Sequence, residues 1–241
     1  MIKKWKGITA LAGVAFIFLT SMCKMDVKAA VINQLPGEKE KIELYHAEPV
    51  MNTEELMYMS VNGIDELTRD TGYKWKPEVA VRGSGIKDIK NYSTSQLINQ
   101  YVCDGEVYNQ YALTSITVAD VGHYADPAVT GNGCTVRTTM VVTWGKGIVV
   151  SLNYQSTWVT GGAPTVLVME NQVNEGWDTG KVYVNSKEVI KPNGTYTLQS
   201  PSSVMVGDSY GSVLWCRGTV YFSGGSSIVS SYTLDPCGIL P

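Results

Sequence analysis

Two histidines bound the chemistry this chain could perform. His46 and His123 are its only imidazoles in 241 residues. A Ser-His-Asp or Cys-His hydrolase uses one as general base. His46 lies in a polar, charged stretch. His123 lies in Asp120-Val121-Gly122-His123-Tyr124-Ala125-Asp126. Asp-x-x-His-x-x-Asp offers ligands that borderline and hard cations accept. Positions i, i+3 and i+6 do not share one face of a strand, so a loop would have to gather them. A polar inter-strand loop ending at Pro127 accounts for the same residues. No serine stands in Gly-x-Ser-x-Gly, so the nucleophile elbow is absent. Arg82-Gly83-Ser84-Gly85 is not followed by the Lys-Ser/Thr pair of a phosphate loop. Glu170, Glu175 and Asp178 could supply paired carboxylates, which need only be close in space. A solvated loop explains them better. No catalytic residue, metal-ligand set or cofactor motif is assigned.

The aromatic content points elsewhere. The chain has 14 tyrosines and 6 tryptophans against 3 phenylalanines. Tyr and Trp join an apolar face to a polar tip, which suits half-wet binding surfaces. Trp75, between lysines in Tyr73-Lys74-Trp75-Lys76, and Trp177, in Gly176-Trp177-Asp178, read as loop residues. They are the candidate binding residues, for an extracellular glycan or protein. Their types and setting favour the plainer reading, that they anchor loops onto the domain edge.

The first 29 residues set the compartment. Lys3, Lys4 and Lys6 precede an uncharged apolar run from Ile8 to Leu19, and Val27-Lys28-Ala29 offers the small-residue cleavage pattern. This is the layout of a secretory signal. A membrane span needs roughly 20 apolar residues, more than this run supplies. A lipid anchor on Cys23 would want other neighbours than Thr20 and Met22. Cleavage after Ala29 removes Lys3, Lys4, Lys6, Lys24, Lys28 and Asp26. Lys plus Arg then falls from 19 to 14 and Asp plus Glu from 22 to 21, a net charge of about −7. That balance excludes the basic footprint that nucleic acid and anionic membranes require. No later stretch is apolar enough for stable membrane insertion.

Four cysteines remain in the exported chain: Cys103, Cys134, Cys216 and Cys237. An even count outside the cell reads as two disulfides. Free thiols are the alternative. A metal site is weaker, since no pair has Cys-x-x-Cys spacing. Joining Phe222 to Ile228 in a hairpin brings Cys216 near Leu234, so Cys216–Cys237 is expected, and Cys103–Cys134 follows by elimination.

These residues must be carried by strands. Residues 30–50 read as a mobile leader or a short edge element. Asn52-Thr53-Glu54-Glu55 resembles a capping box, and Leu56, Met59, Ile64 and Leu67 predict a helix over 53–70 that stops at Gly72. Asn62-Gly63 inside it conflicts, because that pair also makes hairpin turns; a hairpin from Met57 to Leu67 is the alternative. From residue 78 onward, turn residues recur every eight to twelve positions, the rhythm of a sandwich or barrel. Asp104-Gly105 predicts a tight hairpin. Thr135–Trp144 and Ile148–Trp158 alternate apolar and polar residues, which predicts a long hairpin through a three-residue loop, Gly145-Lys146-Gly147. Trp144 then stands opposite Ile148. Trp144 and Trp158 are expected buried on one face with Met140, Val150 and Leu152. Alternation at 134–158 also suits a membrane-inserting hairpin, as it suits any half-buried antiparallel strand. Further strands are expected at 165–170, 181–184, 194–199, 212–223 and 227–234.

Tyr92-Ser93-Thr94-Ser95-Gln96-Leu97-Ile98, followed by Tyr111-Ala112-Leu113-Thr114, resembles a pattern in uncharacterised secreted β-rich proteins of Gram-positive bacteria. The likeness spans residues 90–235. It implies a β fold and a bacterial, extracytoplasmic protein, and it carries no catalytic residues across.

The expectation is therefore a mainly β protein. A signal peptide occupies 1–29, a leader and helix 30–77, and an antiparallel β domain 78–241. The fold class is an antiparallel β-sandwich with a short N-terminal helical region. The role expected is a secreted, non-catalytic binding or surface-interaction protein. A secreted hydrolase of wall or host polymers is the alternative, and a toxin or bacteriocin-like effector the third.

Overall fold

The computed structural model describes residues 41–75, 77–122, 132–145, 148–174, 181–189, 194–199, 213–223 and 225–234. The protein is mainly β, and its sheets are antiparallel. Strands β1 (Lys41–His46), β3 (Ile86–Cys103), β4 (Glu106–Val121), β5 (Asn132–Gly145), β6 (Ile148–Gly161) and β9 (Gly194–Gln199) form a six-stranded sheet in the order β1-β3-β4-β5-β6-β9. Strands β2 (Glu78–Arg82), β7 (Pro164–Asn174), β8 (Lys181–Val189), β10 (Val213–Phe222) and β11 (Ser227–Leu234) form a five-stranded sheet in the order β2-β11-β10-β7-β8. Arg82-Gly83-Ser84-Gly85 carries the chain from one sheet to the other. Gly83 has φ +85°, and a Cβ there would stand 2.9 Å from the Ser226 backbone. The motif's glycines serve a tight crossing, not a phosphate.

Inward residues of both sheets share two apolar clusters. One gathers Tyr111, Leu113, Met140, Val142, Trp144 and Leu152 with Cys216, Tyr232 and Leu234. The other gathers Ala119, Val121, Cys134, Val136 and Val159 with Leu167, Val220, Phe222 and Ile228. A polar layer separates them. Five strands place a small or polar residue inward there: Ser115, Thr138, Gln155 with Thr157, Gly218 and Ser230. Ser230 Oγ donates to Ser115 Oγ at 3.3 Å, and Gln155 Nε2 donates to the Arg217 carbonyl at 2.9 Å. Thr138 and Thr157 hydroxyls lie 3.4 Å apart. A Cβ on Gly218 would meet both hydroxyls at 3.2 Å. Gly218 thus marks a close approach of the two sheets.

The Asp104-Gly105 hairpin forms as its residues dictate. Both adopt positive φ, 54° and 77°, and Cys103 pairs with Glu106. This is the primed turn whose twist matches antiparallel strands. The expected single helix is instead two, α1 (Thr53–Val61) and α2 (Glu66–Thr71). Asn62-Gly63 breaks it, with Gly63 at φ +67°. The caps follow the sequence: Asn52 Oδ1 accepts from Glu54 N and Glu55 N, and Gly72 closes α2 in the left-handed region. Of the expected leader, residues 41–46 form the short edge element, the other reading of that stretch. β1 pairs with β3, and α1 and α2 pack on it.

The β5–β6 hairpin departs from expectation in register. Gly145 opposes Ile148, so the connection is two residues, not three. Gly145 stays in the ladder because the Tyr108 ring covers it; a Cβ there would come within 2.4 Å of that ring. Two register shifts follow, leaving Val150 and Asn153 as extra residues on β6. Each extra residue flips every side chain beyond it. Leu152 faces the interior, and beyond Asn153 the inward set becomes Gln155, Thr157 and Val159. Trp158 therefore lies on the opposite face from Trp144, correcting the expectation that both share one. Its ring sits under the Arg137 guanidinium, 5.0 Å from Cζ.

The cysteine pairing is also corrected. Cys103, Cys134 and Cys216 are all free thiols. Cys103 opposes Glu106 at one end of β4, and Cys134 opposes Ala119 near the other. At about 3.3 Å per residue this separates them by roughly 40 Å, against at most about 6.8 Å between Cα atoms in a disulfide. Leu234 opposes Leu214, and Cys216 opposes Tyr232. Cys237 lies outside the described residues.

Candidate functional site

The sequence candidates fall in different places. Trp75 is half-buried and packs against the cluster containing Trp144 and Tyr232. Its ring stacks on Tyr232, 5.7 Å between centroids, and its Nε1 is buried without a hydrogen-bond partner. Tyr73 packs beside it on Trp144 at 5.3 Å. The 73–75 segment thereby closes the interior where β2 is too short to reach. Trp177, His123, Asp126, Glu175 and Asp178 lie outside the described residues. Asp120 stands on β4 opposite Gly133 and Lys87. His46 ends β1 in the open, its Nε2 3.4 Å from Glu48 Oε1.

The carboxylates of Asp65, Glu66 and Asp70 are structural. Asp65 caps α2, accepting from Thr68 N at 3.0 Å, Thr68 Oγ1 at 2.9 Å and Ser95 Oγ at 2.5 Å. Glu66 accepts from Leu97 N at 2.6 Å. Asp70 accepts from Tyr111 OH at 3.2 Å and Arg69 Nε at 2.7 Å. All three staple α2 to the six-stranded sheet. Among the described residues, no group of three or more metal-ligating side chains converges. No helix there is long and apolar enough to cross a membrane.

An outward row of aromatic and cationic residues sits on β10, interrupted by Thr219, which is buried. Cys216, Val220 and Phe222 point inward, so Trp215, Arg217, Thr219 and Tyr221 point outward, because strand side chains alternate. Arg217 stacks on the Trp215 ring, Cζ 4.4 Å from its centroid. Its Nη1 lies 3.7 Å from Glu170 Oε2 on β7, an ion pair too long for a strong hydrogen bond. Both side chains are part-exposed, and Tyr221 is 41 % exposed. Trp215 to Tyr221 spans about 20 Å along the strand. Loop position alone does not single out this row in the sequence. The signal was present: in Trp215-Cys216-Arg217-Gly218-Thr219-Val220-Tyr221-Phe222 the residues between the apolar ones are aromatic and cationic, where a solvated face would be short and polar.

Against known protein families, curated proteins and solved structures, the chain matches none.

Proposed function

We propose that this chain is an exported, non-catalytic binding protein, a β-sandwich with a short helical N-terminal region, of the kind that secreted β-rich proteins of Gram-positive bacteria resemble. The outward row Trp215–Arg217–Tyr221 is its contact face. The observation that carries the reading is the composition of that row. Trp, Tyr and Arg are the residues that dominate binding energy at interfaces. Among the described residues, Arg217 meets one long ion pair and one ring contact; its Nε is buried, so the terminal N–H groups are the ones offered to a ligand. The partner is an extracellular protein or glycan met along an extended strip. Trp177 stays a second candidate contact, whereas Trp75 has its ring face engaged on Tyr232.

The test is a binding screen of the chain purified from culture medium against extracellular proteins and a glycan array. Trp215→Ala and Tyr221→Ala should each weaken the strongest hit about tenfold or more, which corresponds to 1.4 kcal/mol, and leave the circular dichroism unchanged. Trp75→Ala should instead lower stability. Parent-like binding by both β10 variants would overturn the reading. So would hydrolytic turnover lost in Asp120→Asn or His123→Ala.

A further inference from the structure

A second surface stands apart from the β10 row and rests on the same reading of a binding protein. The segment from Ala47 to Asp65 crosses the outer face of the six-stranded sheet. Val50 N donates to Gln96 Oε1 at 2.8 Å, Arg137 Nη1 donates to the Met51 carbonyl, and Thr94 Oγ1 donates to the Ile64 carbonyl at 2.6 Å. Leu56 on α1 is fully buried beneath this strap. A surface helix should turn a polar face outward. Helix α1 does not. Glu54, Tyr58 and Val61, spaced i, i+4 and i+7, share its outward stripe. Tyr58 is 65 % and Val61 75 % exposed, with Met51 and Ile64 exposed at either end. Half of the large exposed hydrophobic side chains among the described residues lie in these 14 positions.

The charges say what covers them. From Ala47 to Asp65 there are four acids, Glu48, Glu54, Glu55 and Asp65, and no lysine or arginine. Asp65 is engaged in capping α2; the three glutamates are exposed. The cation that touches the segment, Arg137, is buried below it. A second copy docking symmetrically would set Glu54 and Glu55 against themselves, which like charge disfavours. An anionic membrane is repelled for the same reason. We infer that the outer stripe of α1 docks a cationic amphipathic segment of another polypeptide, whose apolar face covers Tyr58, Val61 and Ile64 and whose basic rim meets Glu54 and Glu55.

The probe is a pair of synthetic 18-residue helical peptides with one leucine pattern, one bearing lysine at the polar positions and one glutamate. Fluorescence anisotropy with the secreted chain should show binding of the lysine peptide only. Tyr58→Ser with Val61→Ser should weaken it about tenfold or more. Glu54→Gln with Glu55→Gln should weaken it and flatten its salt dependence, and Glu106→Gln, a distant exposed acid, should not. All these side chains are exposed, so the folded circular dichroism should persist. Trp215→Ala should leave peptide binding intact, which separates this surface from the β10 row. Equal binding of both peptides, no binding of the lysine peptide, or parent-like binding by the Tyr58/Val61 variant would each overturn the inference.

Discussion

The Tyr232 hydroxyl donates to the Thr138 carbonyl at 2.6 Å, across the space between the two sheets. Both residues are fully buried, Tyr232 on β11 and Thr138 on β5. Their bond sits where the polar layer meets the cluster of Trp144 and Met140. It fixes how far one sheet can slide over the other. Tyr232→Phe keeps the ring and its stacking on Trp75 but removes the donor. The expected cost is about 1–3 kcal/mol, because a buried carbonyl loses a partner. Urea unfolding at neutral pH measures it. A change too small to resolve would show that the bond is dispensable.

The two tryptophans of the β5–β6 hairpin should now part company. Trp144 is 7 % exposed inside the main cluster, and Trp144→Ala should cost about 3–5 kcal/mol. Trp158 lies half-buried on the other face, and its ring contact with Arg137 is worth about 0.5–2 kcal/mol. Trp158→Ala should therefore cost clearly less than Trp144→Ala. Equal losses in denaturant titrations would mean that the extra residue at Asn153 does not shift the register.

What the sequence revealed depended on how local the cause was. Asp104-Gly105 forms its turn because two adjacent residues accept positive φ, so the hairpin was readable. Asn52 and Gly72 likewise announced helix ends within one turn. Asn62-Gly63 carried both possibilities, and Gly63 in the left-handed region breaks the helix there. The shift at Asn153 had no local signature, because alternation continues on both sides of an inserted residue. The polar layer was equally silent: Thr138, Ser230 and Gly218 each look like an outward or turn residue until the five strands are aligned. The row Trp215–Arg217–Tyr221 was legible by alternation alone, once Cys216 and Phe222 were taken as inward.

Thiol chemistry gives a direct check on the corrected cysteines. Cys134 and Cys216 are buried in separate clusters, one around Val136 and one around Tyr232. Burial pushes the Cys134 thiol up to about 12 and raises that of Cys216 as well. At pH 8 neither carries appreciable thiolate, the reactive form. A disulfide-exchange reagent should therefore find neither in the folded chain. After denaturation without reductant, at least three free thiols should appear, those of Cys103, Cys134 and Cys216. Recovery of a peptide linking Cys103 to Cys134 would overturn the register of the six-stranded sheet.

Alkaline pH should unfold the chain through the same buried groups. Burial raises Cys134, Cys216, Tyr111 and Tyr232 above their ordinary ranges. Each is neutral in the fold and would ionise more readily once unfolded, near 8.5 for Cys and 10 for Tyr. The folded state therefore binds more protons at high pH, and stability falls as pH rises. Below about pH 8 both states hold these protons, so these groups add no slope there. From about pH 8.5 the cysteines begin the decline, and from about pH 10 the tyrosines join it. Each contributes at most about 1.4 kcal/mol per pH unit. Tyr232→Phe should lower stability at pH 7 yet make the alkaline slope shallower, since it removes one of the ionising groups. Chemical unfolding followed from pH 7 to 11 gives the slope for the parent and the variant. A parent whose stability stays flat to pH 11 would mean that these side chains reach water in the folded state.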